Sequence, residues 1–360
     1  MLRPVSAAGF SSLVALLLSG CATLAADVSS PVVNAAEGCR SAIGISTASS
    51  GVSVLALKNG AVVCEDYANG GGPDRGHEIW SGTKSFTGVM AAIAVKDGML
   101  TLDEKVADTI IEWKSDPQKS QVSIRQLLSL TSGIGNLGQP GGRAPGYVAA
   151  IATPFTAAPG EKFQYGPQSF QVFGELIQRK LKARGLAPDS RAFVKTRILD
   201  PIGMTWTDWR RTAEGDALMP QGASFTAREW IKFGEFIRKG GGTEKGERLA
   251  DPAAFRDLFV GTKANPAYGV SWWLPKPTAA PDVVTATIDL TRHSAELPAD
   301  MVIAGGAGNQ RLYVVPSCGL TVVRQAAFDA AAALEGRRTG EQRAWSDFAF
   351  IKTLLAAYCS

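Results

Sequence analysis

A serine and a lysine three residues apart carry the strongest chemical signal in this sequence. Ser81, in the segment His77-Glu-Ile-Trp-Ser81-Gly-Thr-Lys84, is the only serine in the chain with a lysine at that spacing. At the start of a helix, residues so spaced lie on one face within contact range. A hydroxyl is a weak nucleophile, and an amine can take its proton only while the amine is neutral. Burial and the positive end of a helix both lower the pKa of a lysine. The pair therefore predicts acyl transfer with Ser81 as nucleophile and Lys84 as base.

Helical periodicity follows this pair. Apolar residues recur at three and four positions from Phe86 to Ile93, and again from Phe170 to Leu181, which predicts two helices with a buried face. Thr101 with Glu104, and Thr226 with Glu229, have the spacing of a capping box and predict two further helix starts.

Strand-forming segments lie towards both ends of the chain. The predicted strands are 52–57, 61–64, 268–274, 301–303, 310–315 and 320–323. Asn59-Gly60 separates the first two and is typical of a tight hairpin. A last helix is predicted around 345–355. This order predicts an α+β fold, in which an antiparallel sheet built from both termini is covered by terminal helices. A mainly helical subdomain is inserted at about 85–265.

Composition excludes several classes of protein. The chain has 360 residues, of which 45% are hydrophobic and 19% charged, so it can bury a sizeable core. Lys and Arg number 37 against 33 Asp and Glu, without a basic run, and we therefore expect no nucleic-acid partner. With only two histidines and no ligand spacing, we expect neither a metal site nor a cofactor.

The amino-terminal residues predict export. Residues 1–20 combine Arg3 with an apolar stretch too short to span a bilayer, as in a signal peptide. Leu18-Ser19-Gly20-Cys21 resembles the lipobox of bacterial lipoproteins, which makes Cys21 the lipidated residue and 21–37 a tether to the domain at 38–360. The alternative is ordinary secretion with cleavage near residue 25. The expected location is the periplasmic side of a bacterial cell envelope, with membrane contact only through the lipid.

Cysteine usage agrees with an oxidising compartment. Of five cysteines, four remain if Cys21 carries lipid. Three pairings are open. We favour Cys39 with Cys64 and Cys318 with Cys359, since each pair would join a sheet edge to a flanking segment, and buried free thiols are the alternative.

The order of several motifs resembles the serine β-lactamase and penicillin-binding-protein superfamily. Ser81-Gly-Thr-Lys84-Ser-Phe, Asp97-Gly-Met-Leu-Thr-Leu-Asp-Glu and Ile124-Arg-Gln-Leu-Leu-Ser-Leu-Thr-Ser-Gly follow one another as they do there. The resemblance covers about residues 50–357. It is strongest to the class C and esterase-type branch, especially to 6-aminohexanoate-dimer hydrolases. It implies a β-lactamase/transpeptidase-like fold with a five-stranded antiparallel sheet.

The same resemblance implies further site residues. Phe163-Gln-Tyr165-Gly-Pro-Gln168 is similar to the segment that supplies the family's catalytic tyrosine, so Tyr165 is expected to share the proton relay with Lys84. Backbone N–H groups near Gly306 and Ala307 are expected to form an oxyanion hole. Gln168 could replace a missing amide or be an ordinary helix-start residue. Trp273 could line the substrate pocket or pack in the core.

Two departures from the family pattern affect the expected substrate. Pro167 stands where the family often has asparagine, and Ala304-Gly305-Gly306 stands where Lys-Thr-Gly or His-x-Gly would be. Those missing groups hold the amide and carboxylate of lactam substrates. We therefore expect an exported hydrolase of a small ester or amide. The alternatives are a β-lactamase or D-amino-acid peptidase, or a non-catalytic penicillin-binding-like envelope protein.

Overall fold

The computed structural model describes residues 34–135, 144–279, 289–331 and 345–359. The predicted signal segment, Cys21 and most of the tether lie outside the described residues. Helix α1 begins at Ala35, inside the predicted tether, so the folded part starts before residue 38. The reason is a cap that we did not predict, because the Asn34 side chain accepts a hydrogen bond from the Ala36 N–H.

The strands of the main sheet come from both ends of the chain, and most of the helices come from its middle. The helices are α1 (Ala35–Ala48), α2 (Lys84–Lys96), α3 (Ile124–Leu128), α4 (Tyr147–Ala152), α5 (Gln168–Ala183), α6 (Ser190–Val194), α7 (Ala227–Arg238), α8 (Pro252–Asp257) and α9 (Asp347–Tyr358). The strands are β1 (Gly51–Lys58), β2 (Ala61–Tyr67), β3 (His77–Glu78), β4 (Asp208–Trp209), β5 (Ala223–Phe225), β6 (Val302–Gly306), β7 (Gln310–Val315) and β8 (Leu320–Ala326).

The main sheet has five antiparallel strands in the order β2-β1-β8-β7-β6. This confirms the predicted fold class, including the Asn59-Gly60 hairpin, where both residues have the positive φ that the tight turn requires. The central insertion is mainly helical as predicted, but it also contributes β4 and β5 to a small sheet with β3.

Alternate side chains of β7 and β8 face two different helical layers. Arg311 and Tyr313 reach Asp347 on α9, whereas Leu312 and Thr321 pack close to Gly234 on α7. Because side chains alternate along a strand, α9 and α7 lie on opposite faces of the sheet. The sheet is thus buried on both faces at its centre, and its β6 edge is left to meet the helical insertion.

Two predicted elements are wrong. Segment 268–274 is not a strand, since it forms only the bridges Tyr268 to Trp273 and Trp273 to Ile303 and turns at Ser271, where φ is 71°. Thr101 and Glu104 do make both hydrogen bonds of a capping box, yet they close a turn followed by a short 3-10 helix at Val106–Asp108. Capping chemistry can therefore hold a turn where no helix follows.

The favoured disulfide pairing is the one found in the structure. Cys39 on α1 is bonded to Cys64 on β2, and Cys318 is bonded to Cys359 at the end of α9. Each bond joins a terminal helix to the sheet or its connecting turn. The bonded residues are 25 and 41 positions apart. Constraining loops of that size stabilises a folded chain by roughly 3–4 kcal/mol each in the chain-entropy description.

A buried ion pair ties α9 to the sheet and leads to a stability prediction. Arg311 Nε lies 2.6 Å from Asp347 Oδ1, and both side chains are almost fully buried. Asp347→Asn would leave the guanidinium charge buried without a carboxylate. We expect the free energy of unfolding to fall by about 3–5 kcal/mol. Asp200→Asn, which removes the exposed partner of Lys195, is the control and should change it by less than about 1 kcal/mol. Equal losses in denaturant unfolding would contradict the assignment.

Candidate active site

Ser81 lies in a strained turn immediately before α2. The turn is a 3-10 helix, Trp80–Thr83, and Trp80 has a φ of 50°, which bulky side chains rarely adopt. The turn is held from both sides, because the Ile79 N–H donates to the Ala223 carbonyl at 2.9 Å and the Trp80 ring meets Phe328 edge-on. The strained residue thus fixes the backbone directly before the predicted nucleophile.

Lys84 is buried beside the Ser81 hydroxyl. Its Nζ lies 3.0 Å from Ser81 Oγ and donates to the Pro220 carbonyl oxygen at 3.0 Å. Only 4% of its surface is exposed, because α2 is buried on all sides from Lys84 to Ala94 rather than on one face as predicted. This burial lowers the pKa of Lys84 to about 7. A large fraction of the amine is therefore neutral near pH 7, as a base for the Ser81 proton must be.

Tyr165 contacts both Ser81 and Lys84. It is hydrogen-bonded to Ser81, and its ring centroid lies 4.9 Å from Lys84 Nζ. Burial raises the pKa of Tyr165 to about 12, although the hydrogen bond with Ser81 and the positive charge of Arg311 act in the other direction. Its hydroxyl stays protonated at neutral pH and can both donate and accept, which a relay requires. The structure thus brings Ser81, Lys84 and Tyr165 together.

The end of β6 packs against the turn that holds Ser81. A Cβ atom on Gly306 would lie 2.0 Å from the Ile79 carbonyl oxygen, so only glycine fits at this approach. Ala307 opens the 3-10 turn Ala307–Asn309, and Ser81 lies in the first turn of its own 3-10 helix. N–H groups in a first turn have no partner within the helix and can donate to an anion. These two backbone groups fit the predicted oxyanion hole.

Gly306 supports a prediction about this hole. Gly306→Ala would force β6 away from Ile79, so we expect Ser81 to react with an acyl probe about 10²-fold more slowly, as when an oxyanion donor is displaced in other hydrolases. Gly44→Ala is the matched control, since a Cβ atom there meets nothing within 4 Å. A Gly306→Ala protein that reacts at the wild-type rate would show that this strand end does not position the reaction.

Trp273 stacks against Tyr165, whereas Gln168 lies at the start of the helix that follows Tyr165. Trp273 stacks on Tyr165 with ring centroids 5.7 Å apart, and its backbone exchanges two 3.0 Å hydrogen bonds with Ile303 on β6. Trp273 therefore connects Tyr165 to strand β6, whose end packs against the Ser81 turn. Gln168 is buried at the first position of α5, three residues after Tyr165. Contact of either side chain with a substrate stays a prediction.

Sequence reasoning missed two groups that position the site. One is the Pro220 carbonyl, which accepts from Lys84. A backbone acceptor leaves no signal in residue type, and only the turn glycine Gly222 marks the segment. The other is Arg311, which donates to the Gly306 carbonyl at 3.0 Å. An arginine that directly precedes the run Leu312–Val315 in a predicted strand does predict a buried partner, so this signal was present in the sequence.

Comparison with known families identifies the class of protein. The family profile Beta-lactamase matches residues 35–326, which is most of the chain. The chain therefore belongs to the Beta-lactamase family, and it is a serine hydrolase. This confirms the resemblance seen in the sequence.

The individual proteins that match this chain have low sequence identity to it. Protein flp from Staphylococcus aureus strain COL is 27% identical over 180 residues, covering 45% of this chain and 35% of the relative. The proteins of strains N315 and MRSA252 match to the same 27%. The chain thus spans about a third of the length of these curated relatives.

Solved structures share the fold at low sequence identity. EstCE1, a hydrolase with promiscuous acyltransferase activity, is 15% identical with a TM-score of 0.64, covering 90% of this chain and 99% of that one. A Bacillus anthracis protein assigned as a 6-aminohexanoate-dimer hydrolase is 17% identical with a TM-score of 0.61, covering 82% and 79%. The D-alanine carboxypeptidase AmpC from Burkholderia cenocepacia is 19% identical with a TM-score of 0.58, covering 84% and 100%.

Proposed function

We propose that this chain hydrolyses a small ester or amide through an acyl-enzyme on Ser81, with Lys84 and Tyr165 as the proton relay. One observation carries the proposal, namely the amine of Lys84 at 3.0 Å from Ser81 Oγ in a site where only 4% of the lysine is exposed. A buried amine beside a hydroxyl is the arrangement that activates a serine without histidine.

The proposed steps balance in protons and bonds. Ser81 Oγ attacks the carbonyl carbon while its proton passes to neutral Lys84, and the oxygen anion that forms is held by the N–H groups of Ser81 and Ala307. The proton then passes through Tyr165 to the leaving alcohol or amine as its bond to carbon breaks. Water then attacks the acyl-enzyme and gives a proton to the relay. The relay returns a proton to Ser81 Oγ as its bond to the acyl carbon breaks, which releases the acid and restores the hydroxyl.

Substrates without a carboxylate next to the scissile bond fit this site best. The strand that closes it carries Ala304, Gly305 and Gly306, and none of these has a side chain able to pair with a carboxylate. The nearest strand cation, Arg311, is buried and paired with Asp347. Next to Lys84, the rings of Tyr165, Trp273 and Tyr268 are in mutual contact. These features favour a short acyl ester or a 6-aminohexanoate-dimer-like amide over a β-lactam or a D-amino-acid peptide.

The proposal is tested by mapping covalent modification. A fluorophosphonate is expected to modify Ser81, and peptide mass spectrometry should leave Ser85 unmodified, since that hydroxyl donates to the Ser271 carbonyl in the core. Hydrolysis of p-nitrophenyl esters, 6-aminohexanoate dimers, D-Ala dipeptides and nitrocefin should then be compared. Folded protein without a Ser81 adduct would refute the acyl-enzyme. Rates highest on nitrocefin or D-Ala dipeptides would refute the substrate class.

We also propose that the protein acts outside the cytoplasm, held by a lipid on Cys21. The sequence Leu18-Ser19-Gly20-Cys21 and the two disulfides support this. Within the described ranges, no helix is both long and apolar enough to cross a bilayer. Expression in a bacterial host with labelled palmitate should give a lipid-labelled protein. The Cys21→Ser protein should carry no label. Equal labelling of both proteins would refute anchoring at this residue.

A further inference from the structure

We infer that Gln171 is a positioning residue that sets the direction of the Lys84 amine by fixing the Pro220 carbonyl. This inference rests on the proposed function, because it concerns the base of that reaction. Gln171 lies in the first turn of α5, six residues after Tyr165, and its side chain is fully buried.

The Gln171 amide joins two segments of the insertion. Its Nε2 donates to the Pro145 carbonyl at 2.7 Å, and its Oε1 accepts from the Met219 N–H at 2.9 Å. Met219 is the residue directly before Pro220. The amide therefore fixes the chain two peptide units before the carbonyl that contacts Lys84.

The other end of this segment is held from the Ser81 side. The Ala223 N–H donates to Thr83 Oγ1 at 3.3 Å, and the Ala223 carbonyl accepts from Ile79. The segment 219–223 is thus fixed at both ends, with the Pro220 carbonyl between them. Loss of the Gln171 bonds would release one end while the end next to Ser81 stayed in place.

The hydrogen-bonding capacity of an amine makes this carbonyl important. Neutral Lys84 has two N–H donors and one lone pair, and the lone pair must point at the Ser81 hydroxyl to receive its proton. A carbonyl oxygen can only accept, so Pro220 takes one of the N–H groups and orients the lone pair. After proton transfer the same carbonyl stabilises the ammonium, together with the ring faces of Tyr165 and Phe170.

The test compares how pH affects Ser81 modification in two variants. Among the described residues, the titratable group that faces Lys84 is Tyr165, and the charge acting on that tyrosine is Arg311. Gln171→Met keeps the side-chain length but removes both hydrogen bonds. The ammonium form of Lys84 then loses a well-placed acceptor. We therefore expect the acidic limb of the rate against pH to move to lower pH by at least about half a unit. The plateau rate should fall about tenfold as the lone pair loses its alignment.

Gln310→Met is the matched control. Gln310 is also buried and makes the same two kinds of bond to a backbone, donating to the Ala326 carbonyl at 2.8 Å and accepting from the Ala326 N–H at 3.0 Å. Its loss should lower stability to a similar degree and leave the acidic limb in place. If Gln171→Met fails to fold, Gln171→Asn, which keeps a polar amide but withdraws it by one methylene group, should move the limb in the same direction by less.

The outcomes separate this inference from the proposed function. A wild-type Ser81 that does not react refutes the proposed function itself. A reactive wild type whose acidic limb is unchanged, or moves to higher pH, in the Gln171 variants refutes only the positioning role. A shift to lower pH in the Gln171 variants that is absent from Gln310→Met supports it.

Discussion

Ser81→Ala is expected to abolish hydrolysis while leaving the fold intact. The substitution removes only the hydroxyl oxygen. The backbone of the turn stays fixed by the hydrogen bond from the Ile79 N–H to the Ala223 carbonyl. Without a nucleophile no acyl-enzyme forms, and we expect the rate on any responsive ester to fall by about 10⁴-fold or more. Residual activity would come from the oxyanion donors alone. The measurement is steady-state hydrolysis, with thermal unfolding to confirm the fold.

Ser85→Ala is the control for this variant. Ser85 lies on the same buried helix and loses one hydrogen bond to the Ser271 carbonyl. It should retain activity within a few-fold and lose about 1 kcal/mol of stability. If Ser81→Ala kept more than a small fraction of wild-type hydrolysis, the proposed acyl-enzyme would be wrong.

Lys84→Met is expected to lose activity and gain stability. Removing the base should slow acylation by about 10²–10⁴-fold. The gain in stability comes from proton linkage, because burial lowers the pKa of Lys84 to about 7 in the fold. Below pH 7 the fold bears the full penalty of burying an ammonium. Between that value and the ordinary lysine pKa of about 10.4, the unfolded chain holds a proton that the folded chain lacks, so wild-type stability rises with pH.

The sign and size of this effect can be measured by denaturant unfolding. At pH 8 the penalty is on the order of 3 kcal/mol, and Lys84→Met should recover it. The gain should shrink as the pH approaches 10. Lys195→Met, at an exposed position, is the control and should stay within about 0.5 kcal/mol. A Lys84→Met protein less stable than wild type at pH 8 would contradict the buried neutral amine.

The sequence was sufficient to predict the fold wherever local patterns were strong. The Asn59-Gly60 hairpin, the existence of helices α2 and α5, and the order of the last strands all agree with the structure. The prediction failed where an apolar, aromatic run looked like a strand. Tyr268 to Leu274 is buried between α2 and β6, and the positive φ at Ser271 turns it back on itself. Tertiary contacts decide such segments, and periodicity cannot reveal them.

The candidate site was predictable in its side chains and not in its backbone. Ser81, Lys84 and Tyr165 carry recognisable motifs, and the structure places them together. The carbonyl of Pro220 and the amide of Gln171 carry none, because one is main chain and the other is an ordinary residue of a buried helix. Positioning groups of this kind become visible only when the distances are known.

If a neutral, buried Lys84 activates Ser81, the rate of Ser81 modification must follow the protonation of that amine. The second-order rate of fluorophosphonate modification should be measured on wild-type protein across the range in which it stays folded. We expect a rate that rises with pH, is half-maximal at about pH 7 and then reaches a plateau. A rate that keeps rising towards the ordinary lysine pKa of about 10.4, or one that Lys84→Met leaves unchanged, would show that neutral Lys84 is not the base.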